Sequence, residues 1–192
     1  MRKEEIPPRE ALGLLEPSPL VLVTTEVRGK PNVSTVSWIM PAGPDPPTVI
    51  LSLAPESLTR RNLEDQGEFI INIPGRDLIR EAAFCGSVSG RDVQKLKECG
   101  LKLEPGGKVR APLLSACPAH LECKATVARA VAGQILVEGV IVLAMAGRDL
   151  FEVGRGWNLE NPEARILLHL GGLYYASPDR RIEMDPGRRP SR

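Results

Sequence analysis

Hydrophobic and polar positions change rhythm near Pro19. Residues 1–16 read as a lead-in, with a short helix expected over Arg9 to Leu15 and stopped by Pro17. Leu20-Val21-Leu22-Val23-Thr24-Thr25 is apolar and β-branched, and reads as a buried strand. Arg28-Gly29-Lys30-Pro31 reads as a turn, so Val33 to Ile39 becomes the second strand of a hairpin. Four prolines between Pro41 and Pro47 predict a stiff loop. Thr48 to Leu53 is a third strand.

Ser57 to Gln66 has the marks of a helix. Ser57 is placed to cap it, Leu58 and Leu63 to face a core, and Gly67 to end it. Glu68 to Ile73 is a further strand, closed by Pro74-Gly75. Helices are expected over Asp77 to Phe84 and Ser89 to Glu98, the latter with Gly100 past its end. Residues 104–116 read as a Gly/Pro-rich connection. Cys117 to Ala130 and Gln134 to Ala146 are long β-type runs around Ala132-Gly133, a second hairpin. Pro162 to Tyr175 is a last, mixed segment. Roughly six or seven strands with inserted short helices predict a mainly β barrel or sandwich. A parallel βαβ sheet fits less well, because the turns are too short for crossover helices.

Composition narrows the function classes. The 192 residues suit one domain with a real core, taken as 1–192 with its core over about 17–176 and a tail from 177. With 25 Lys+Arg against 24 Asp+Glu, the chain lacks the charge signature of nucleic-acid or membrane-surface binding. The local bias is a tail carrying Arg180, Arg181, Arg188, Arg189 and Arg192, expected to be a solvated end. The longest apolar stretch, Gly139 to Gly147, is far too short for a membrane helix. An apolar leader is absent from the first residues, and Cys85, Cys99, Cys117 and Cys123 form no C-x-x-C pair. Reduced thiols in a cytoplasmic protein are the expectation.

Nucleotide loops and metalloprotease or lipase-type motifs are missing, and the two histidines, His120 and His169, give little support to a histidine-based hydrolase. Cys117-Pro118-Ala119-His120-Leu121-Glu122-Cys123 resembles a soft-metal cluster only superficially. Strand alternation points residues 117 and 123 away from 120, so no metal site is expected. Asn32 to Trp38 is more informative: small hydroxyls beside a large ring let a flat ligand reach the backbone. Ser57-Leu58-Thr59-Arg60-Arg61-Asn62 and Ser87 to Lys95 each combine hydroxyls, a predicted helix start and a cation, the chemistry that holds a phosphate. Simple capping by Ser57 or Ser89 explains either motif alone. The two beside a Ser/Thr/Trp strand point to a phosphorylated planar ligand.

The order of motifs resembles the flavin-reductase-like family, and within it the flavoredoxin group of FMN-binding split-barrel proteins. The likeness rests on Pro31-Asn32 through Trp38, Asp45-Pro46-Pro47, Ser57-Leu58-Thr59 with Asn62, Gly67-Glu68-Phe69-Ile70-Ile71-Asn72-Ile73-Pro74, Ser87 through Lys95, and Leu121-Glu122-Cys123. The resemblance implies a six-stranded antiparallel split β-barrel, a homodimer, and one FMN per subunit near the dimer interface. By position, Asn32, Ser34, Thr35, Val36, Ser37 and Trp38 flank the isoalloxazine, and Ser52 and Leu53 lie under the ring or ribityl chain. Thr59, Asn62, Ser87, Ser89, Gly90 and Lys95 hold the phosphate and ribityl hydroxyls. Tyr174 or Tyr175 closes the site, from the partner chain in one arrangement.

One departure bears on activity. Many flavin reductases of this family carry an Asp-His pair in the turn that reads Ala132-Gly133-Gln134 here. Its absence weighs against direct NAD(P)H oxidation and leaves FMN binding untouched. The expected function is electron transfer from NAD(P)H or a reduced protein donor to a flavin, ferric or protein acceptor. A non-enzymatic flavin-binding or sensing module on the same barrel is the alternative. A cysteine-dependent enzyme using Cys85 or Cys99 is the third reading, disfavoured because both sit near expected helix C-termini. No catalytic residue is nominated.

Overall fold

The structure, a computed structural model, describes residues 1 and 3–182. Arg188, Arg189 and Arg192 of the basic tail lie outside the described residues. A 3₁₀ helix, Pro8–Leu15, leads in. The principal strands are β1 (Val21–Val27), β2 (Lys30–Val36), β3 (Ile39–Pro44), β4 (Pro47–Leu53), β5 (Glu68–Ile73), β6 (Ala119–Val131) and β7 (Gln134–Ala146). The helices are α1 (Leu58–Gln66), α2 (Ile79–Ser87) and the four-residue α3 (Lys95–Glu98). The strands form one antiparallel sheet in the order β2-β1-β5-β6-β7-β4-β3. The sheet curls until β2 lies near β4, but those strands are not hydrogen-bonded. This is a split barrel.

The apolar run of β1 is explained by two cores. Val21 and Val23 face the barrel interior with Leu51, Leu53, Phe69, Ile71 and Val137. Leu20 and Leu22 face the opposite side, against Ala82 and Cys85 of α2 and Leu114. Alternation with period two sends neighbours to different layers, so both need apolar side chains. Each fully buried aliphatic or aromatic side chain contributes about 1.5–3 kcal/mol. Leu63 of α1 joins the interior cluster, so α1 packs against the barrel core. Its expected cap is present: Ser57 accepts from the Arg60 N–H, and Gly67 closes the helix at φ 67°.

Two motifs of the sequence turn out to organise the fold. Asn72 is fully buried; its amide donates to the Leu22 carbonyl at 2.8 Å and accepts from the Leu114 N–H at 2.8 Å. It also meets His120 Nδ1 at 3.1 Å, joining β1, β5 and β6. Glu122 is equally buried. Its carboxylate accepts from the N–H groups of Gly107, Lys108 and Val109 at 2.7, 2.6 and 3.1 Å, holding the 106–111 loop against β6. A buried carboxylate is tolerable when backbone donors satisfy it.

Three expectations need correction. The proline-rich loop is largely strand: β3 pairs with β4 from Ile39↔Leu51 to Pro44↔Pro47. β3 is an edge strand, where proline's missing donor need not face a neighbour. The strand expected from Val33 to Ile39 therefore breaks at Ser37-Trp38. The helix expected over Ser89–Glu98 is only α3; Ser89 to Asp92 form a turn, with the Asp92 N–H on the Ser89 carbonyl at 3.1 Å. Asp77–Phe84 resolves into a 3₁₀ turn, Arg76–Leu78, followed by α2, which runs on to Ser87.

Candidate functional site

The free edge of β2 sets the site. An edge strand leaves alternate N–H and C=O groups without strand partners. Helices α1, α2 and α3 all pack beside β2. Between this edge, the end of β4, the start of α1 and the end of α2 lies a cleft of about 380 Å³. That volume is within the range of small-molecule sites.

Thirteen of the fifteen residues expected to bind the cofactor line this cleft. They are Asn32, Ser34, Thr35, Val36, Ser37 and Trp38 from β2 and the break after it, Ser52 and Leu53 from β4, Thr59 from α1, and Ser87, Ser89, Gly90 and Lys95. Asn62 and Tyr174 do not line it. Asn62 sits one turn further along α1, where its amide donates to Thr25 Oγ1 of β1 at 2.9 Å. That bond fastens the helix to the sheet. Tyr174 is 74% exposed in the C-terminal segment.

Hydrogen bonds fix the walls. Asn32 Nδ2 donates to Thr59 Oγ1 at 3.0 Å, joining β2 to α1. A Cβ on Gly90 would come within 2.1 Å of Asn32 Oδ1, so only glycine allows this approach. Thr35 Oγ1 donates to the Ala82 carbonyl at 2.6 Å, tying β2 to α2. Lys95 is buried, and its Nζ donates to the Cys85 carbonyl at 2.7 Å. Burial lowers the Lys95 pKa, with the neighbouring Cys85 and Cys99 sulfurs acting in the other direction.

The donors divide into used and free. Ser87 donates to the Phe84 carbonyl at 3.0 Å, a helix C-terminal bond, so Ser87 opens no helix as the sequence suggested. Ser89 accepts from the Arg91 N–H at 3.2 Å and keeps its own proton. At α1, Ser57 satisfies the Arg60 N–H. The N–H groups of Leu58 and Thr59 have no acceptor within their helix. The cleft adjoins a wider cavity of about 840 Å³ through Asn32, Leu58, Gly90 and Lys95; Arg28, Lys30, Arg61 and Lys97 line its walls.

A family model described as flavin reductase like domain matches residues 14–175. The chain belongs to the flavin reductase like domain family. One relative of this flavin reductase like chain is the uncharacterized protein YddH of Escherichia coli (strain K12). It is 31% identical over 176 residues, covering 90% of this chain and 93% of YddH. Among solved structures, flavoredoxin of Desulfovibrio vulgaris (Miyazaki F) shares the fold with a TM-score of 0.83. It is 23% identical, covering 97% of this chain and 98% of that one. The FMN-binding protein from Thermus thermophilus, solved with bound 1-cyclohex-2-enone, has a TM-score of 0.81 at 20% identity, covering 96% and 98%.

Sequence reasoning left Ala54, Glu56, Cys85, Gly86 and Val88 out of the site, and all five line the cleft. Their signal was adjacency. Each lies next to a segment already assigned, and Gly86 packs its Cα side on Thr35, where a Cβ would meet Thr35 Cβ at 3.3 Å. Among the described residues, no cluster of three or more His, Cys, Asp or Glu side chains is arranged for a metal ion. No helix among them is long and apolar enough to cross a membrane.

Proposed function

We propose that this chain is an FMN-binding flavoprotein of the flavin reductase and flavoredoxin type. In this reading it moves electrons from NAD(P)H or a reduced protein donor to a flavin, ferric or protein acceptor. The observation that carries the reading is the convergence of three distant segments, 32–38, 52–59 and 85–95, on one cleft.

The residues fit FMN by their chemistry. The β2 edge offers backbone donors and acceptors to a planar polar ring edge. Trp38, 49% exposed, supplies an aromatic wall, and Ser34, Ser37 and Ser52 supply hydroxyls for a polyol chain. The Leu58 and Thr59 N–H groups, the Ser89 hydroxyl and the Lys95 ammonium suit a terminal phosphate. The Ser87 proton is engaged at Phe84, so its oxygen contributes only as an acceptor and the phosphate role shifts to α1. Bound FMN supplies reversible one- and two-electron chemistry. The chain's part is to orient the cofactor, neutralise its phosphate and leave one ring face open to a donor.

The hairpin turn between β6 and β7 favours the carrier form of this reading. Register puts Ile135 and Leu136 beside Leu53 and Ser52, so the Ala132-Gly133-Gln134 tip stands at the cleft end of the sheet without an imidazole. Homodimer formation belongs to the same proposal. Met40, Ile50, Glu138 and Val127 form one cross-strand row on four adjacent strands, and Met40 and Val127 are 55% and 47% exposed. Such a row is an uncovered, largely apolar strip. The four free cysteines support residence in the reducing cytoplasm.

The test is an anaerobic reduction of purified protein saturated with FMN. Bleaching by NADH or NADPH alone supports the reductase form, and bleaching only by a reduced protein donor supports the carrier. A protein that takes up no FMN overturns the proposal.

A further inference from the structure

We propose that Cys85 and Cys99 form a reversible disulfide that weakens cofactor binding in the adjoining cleft. The two sulfurs are 3.9 Å apart, although fourteen residues separate them in sequence. Cys85 lies in the last turn of α2, is 1% exposed, and lines the cleft. Cys99 is the C-cap of α3, followed by Gly100 at φ 62° on the surface, and is only half-buried. Cys117 and Cys123, the other two thiols, are both buried and belong to separate core clusters.

The step balances with a hydroperoxide as oxidant. Cys99, the accessible sulfur, attacks the terminal peroxide oxygen; the O–O bond breaks, giving a sulfenic acid and an alcohol or water. Cys85 sulfur then attacks Cys99 sulfur, the S–S bond forms, and the hydroxyl leaves as water with the Cys85 proton. Two thiols lose two electrons and two protons, and a dithiol reverses the change by exchange. Burial pushes the Cys85 thiol up to about 12, and also raises Cys99. Both are mostly protonated at neutral pH, so the thiolate that attacks the peroxide is a small fraction and the oxidation is slow.

The coupling to the cleft is geometric. A disulfide needs its sulfurs at about 2.05 Å, so they must close by about 1.9 Å. Cys99 ends the same four-residue helix that Lys95 begins, and its N–H donates to the Lys95 carbonyl at 2.9 Å. Lys95 in turn holds the Cys85 carbonyl. Drawing the two helix ends together shifts Lys95 and the 86–90 wall. The cross-link stands on this geometry alone, and its effect on affinity rests on the FMN reading above.

The experiment treats reduced full-length protein with hydrogen peroxide, removes the excess, and measures trypsin peptides and FMN affinity. Cleavage after Arg80, Arg91, Lys97 and Lys102 gives peptides 81–91 and 98–102. The expected result is one species joining them, about tenfold weaker FMN binding, and recovery of both in dithiothreitol. C99S is expected to give no joined peptide and an FMN affinity that peroxide leaves unchanged. Absence of the joined peptide in the wild type overturns the disulfide. A joined peptide with unaltered affinity overturns the coupling. Failure of the reduced protein to bind FMN at all overturns the cofactor reading, while the peptide result still decides the cross-link.

Discussion

The amide of Asn32 donates to Thr59 Oγ1 at 3.0 Å, and Gly90 closes over the other end of the same amide. Strand edge, helix start and loop thus meet at one side chain. A methyl group at position 90 would stand 2.1 Å from Asn32 Oδ1 and must displace it. Gly90→Ala is expected to weaken FMN binding by at least about tenfold, equivalent to about 1.4 kcal/mol. The barrel core is remote from the change, so the far-ultraviolet circular dichroism should match the wild type. Titration of FMN against the variant checks this.

Lys95 gives a second prediction. Its ammonium has three donors and spends one on the Cys85 carbonyl. Lys95→Met keeps the volume and removes the charge. FMN affinity should fall by about 1–3 kcal/mol, the scale of a charge-assisted hydrogen bond. Riboflavin, which lacks the phosphate, should lose less affinity than FMN does, as isothermal titration can measure.

The difference between Lys95 and Ser87 marks how far the sequence could be read. Strands declared themselves through β-branched runs, because β1 and β5 are buried on both faces and admit polar residues only where hydrogen bonds satisfy them, as at Thr24 and Asn72. α1 was legible from Ser57 and Gly67, local signals for local structure. β3 was not, since its prolines signal a loop unless the strand is known to be at an edge. Ser89-Gly90-Arg91-Asp92 has the residues of a helix start, yet they form a turn that leaves Gly90 free to reach Asn32. The motif residues Asn72 and Glu122 carried the family likeness, but their work is structural. Their partners lie up to 50 positions away, beyond any local pattern.

Glu122 therefore tests stability separately from binding. Glu122→Gln replaces one carboxylate oxygen by a donor facing backbone N–H groups. Unfolding free energy should fall by about 1.5–3 kcal/mol. FMN affinity at a temperature where the variant is folded should not change, because Glu122 does not line the cleft. Urea denaturation followed by intrinsic fluorescence measures the first, and titration the second.

His120 sets a pH dependence. Burial lowers its pKa below 6.5, with Glu104 in partial opposition. The unfolded chain then binds the proton first, so stability is full above the unfolded value. It declines as pH falls through 6.5 and levels off below the folded value. Thermal midpoints should drop across this window, and His120→Gln should flatten that drop. Glu68, held below its ordinary 4.5 by the Arg110 N–H, loses its contribution only at still lower pH. The two effects are thus separable by titrating the midpoint.

The most direct measurement of the central claim is a fluorescence titration of the reduced protein with FMN, read at Trp38. Trp38 lines the cleft and Trp157 does not. The account predicts saturable quenching at one FMN per chain that is lost in Trp38→Phe and shifted to higher FMN concentration in Gly90→Ala. Linear, unsaturable quenching, equal in all three proteins, would contradict it.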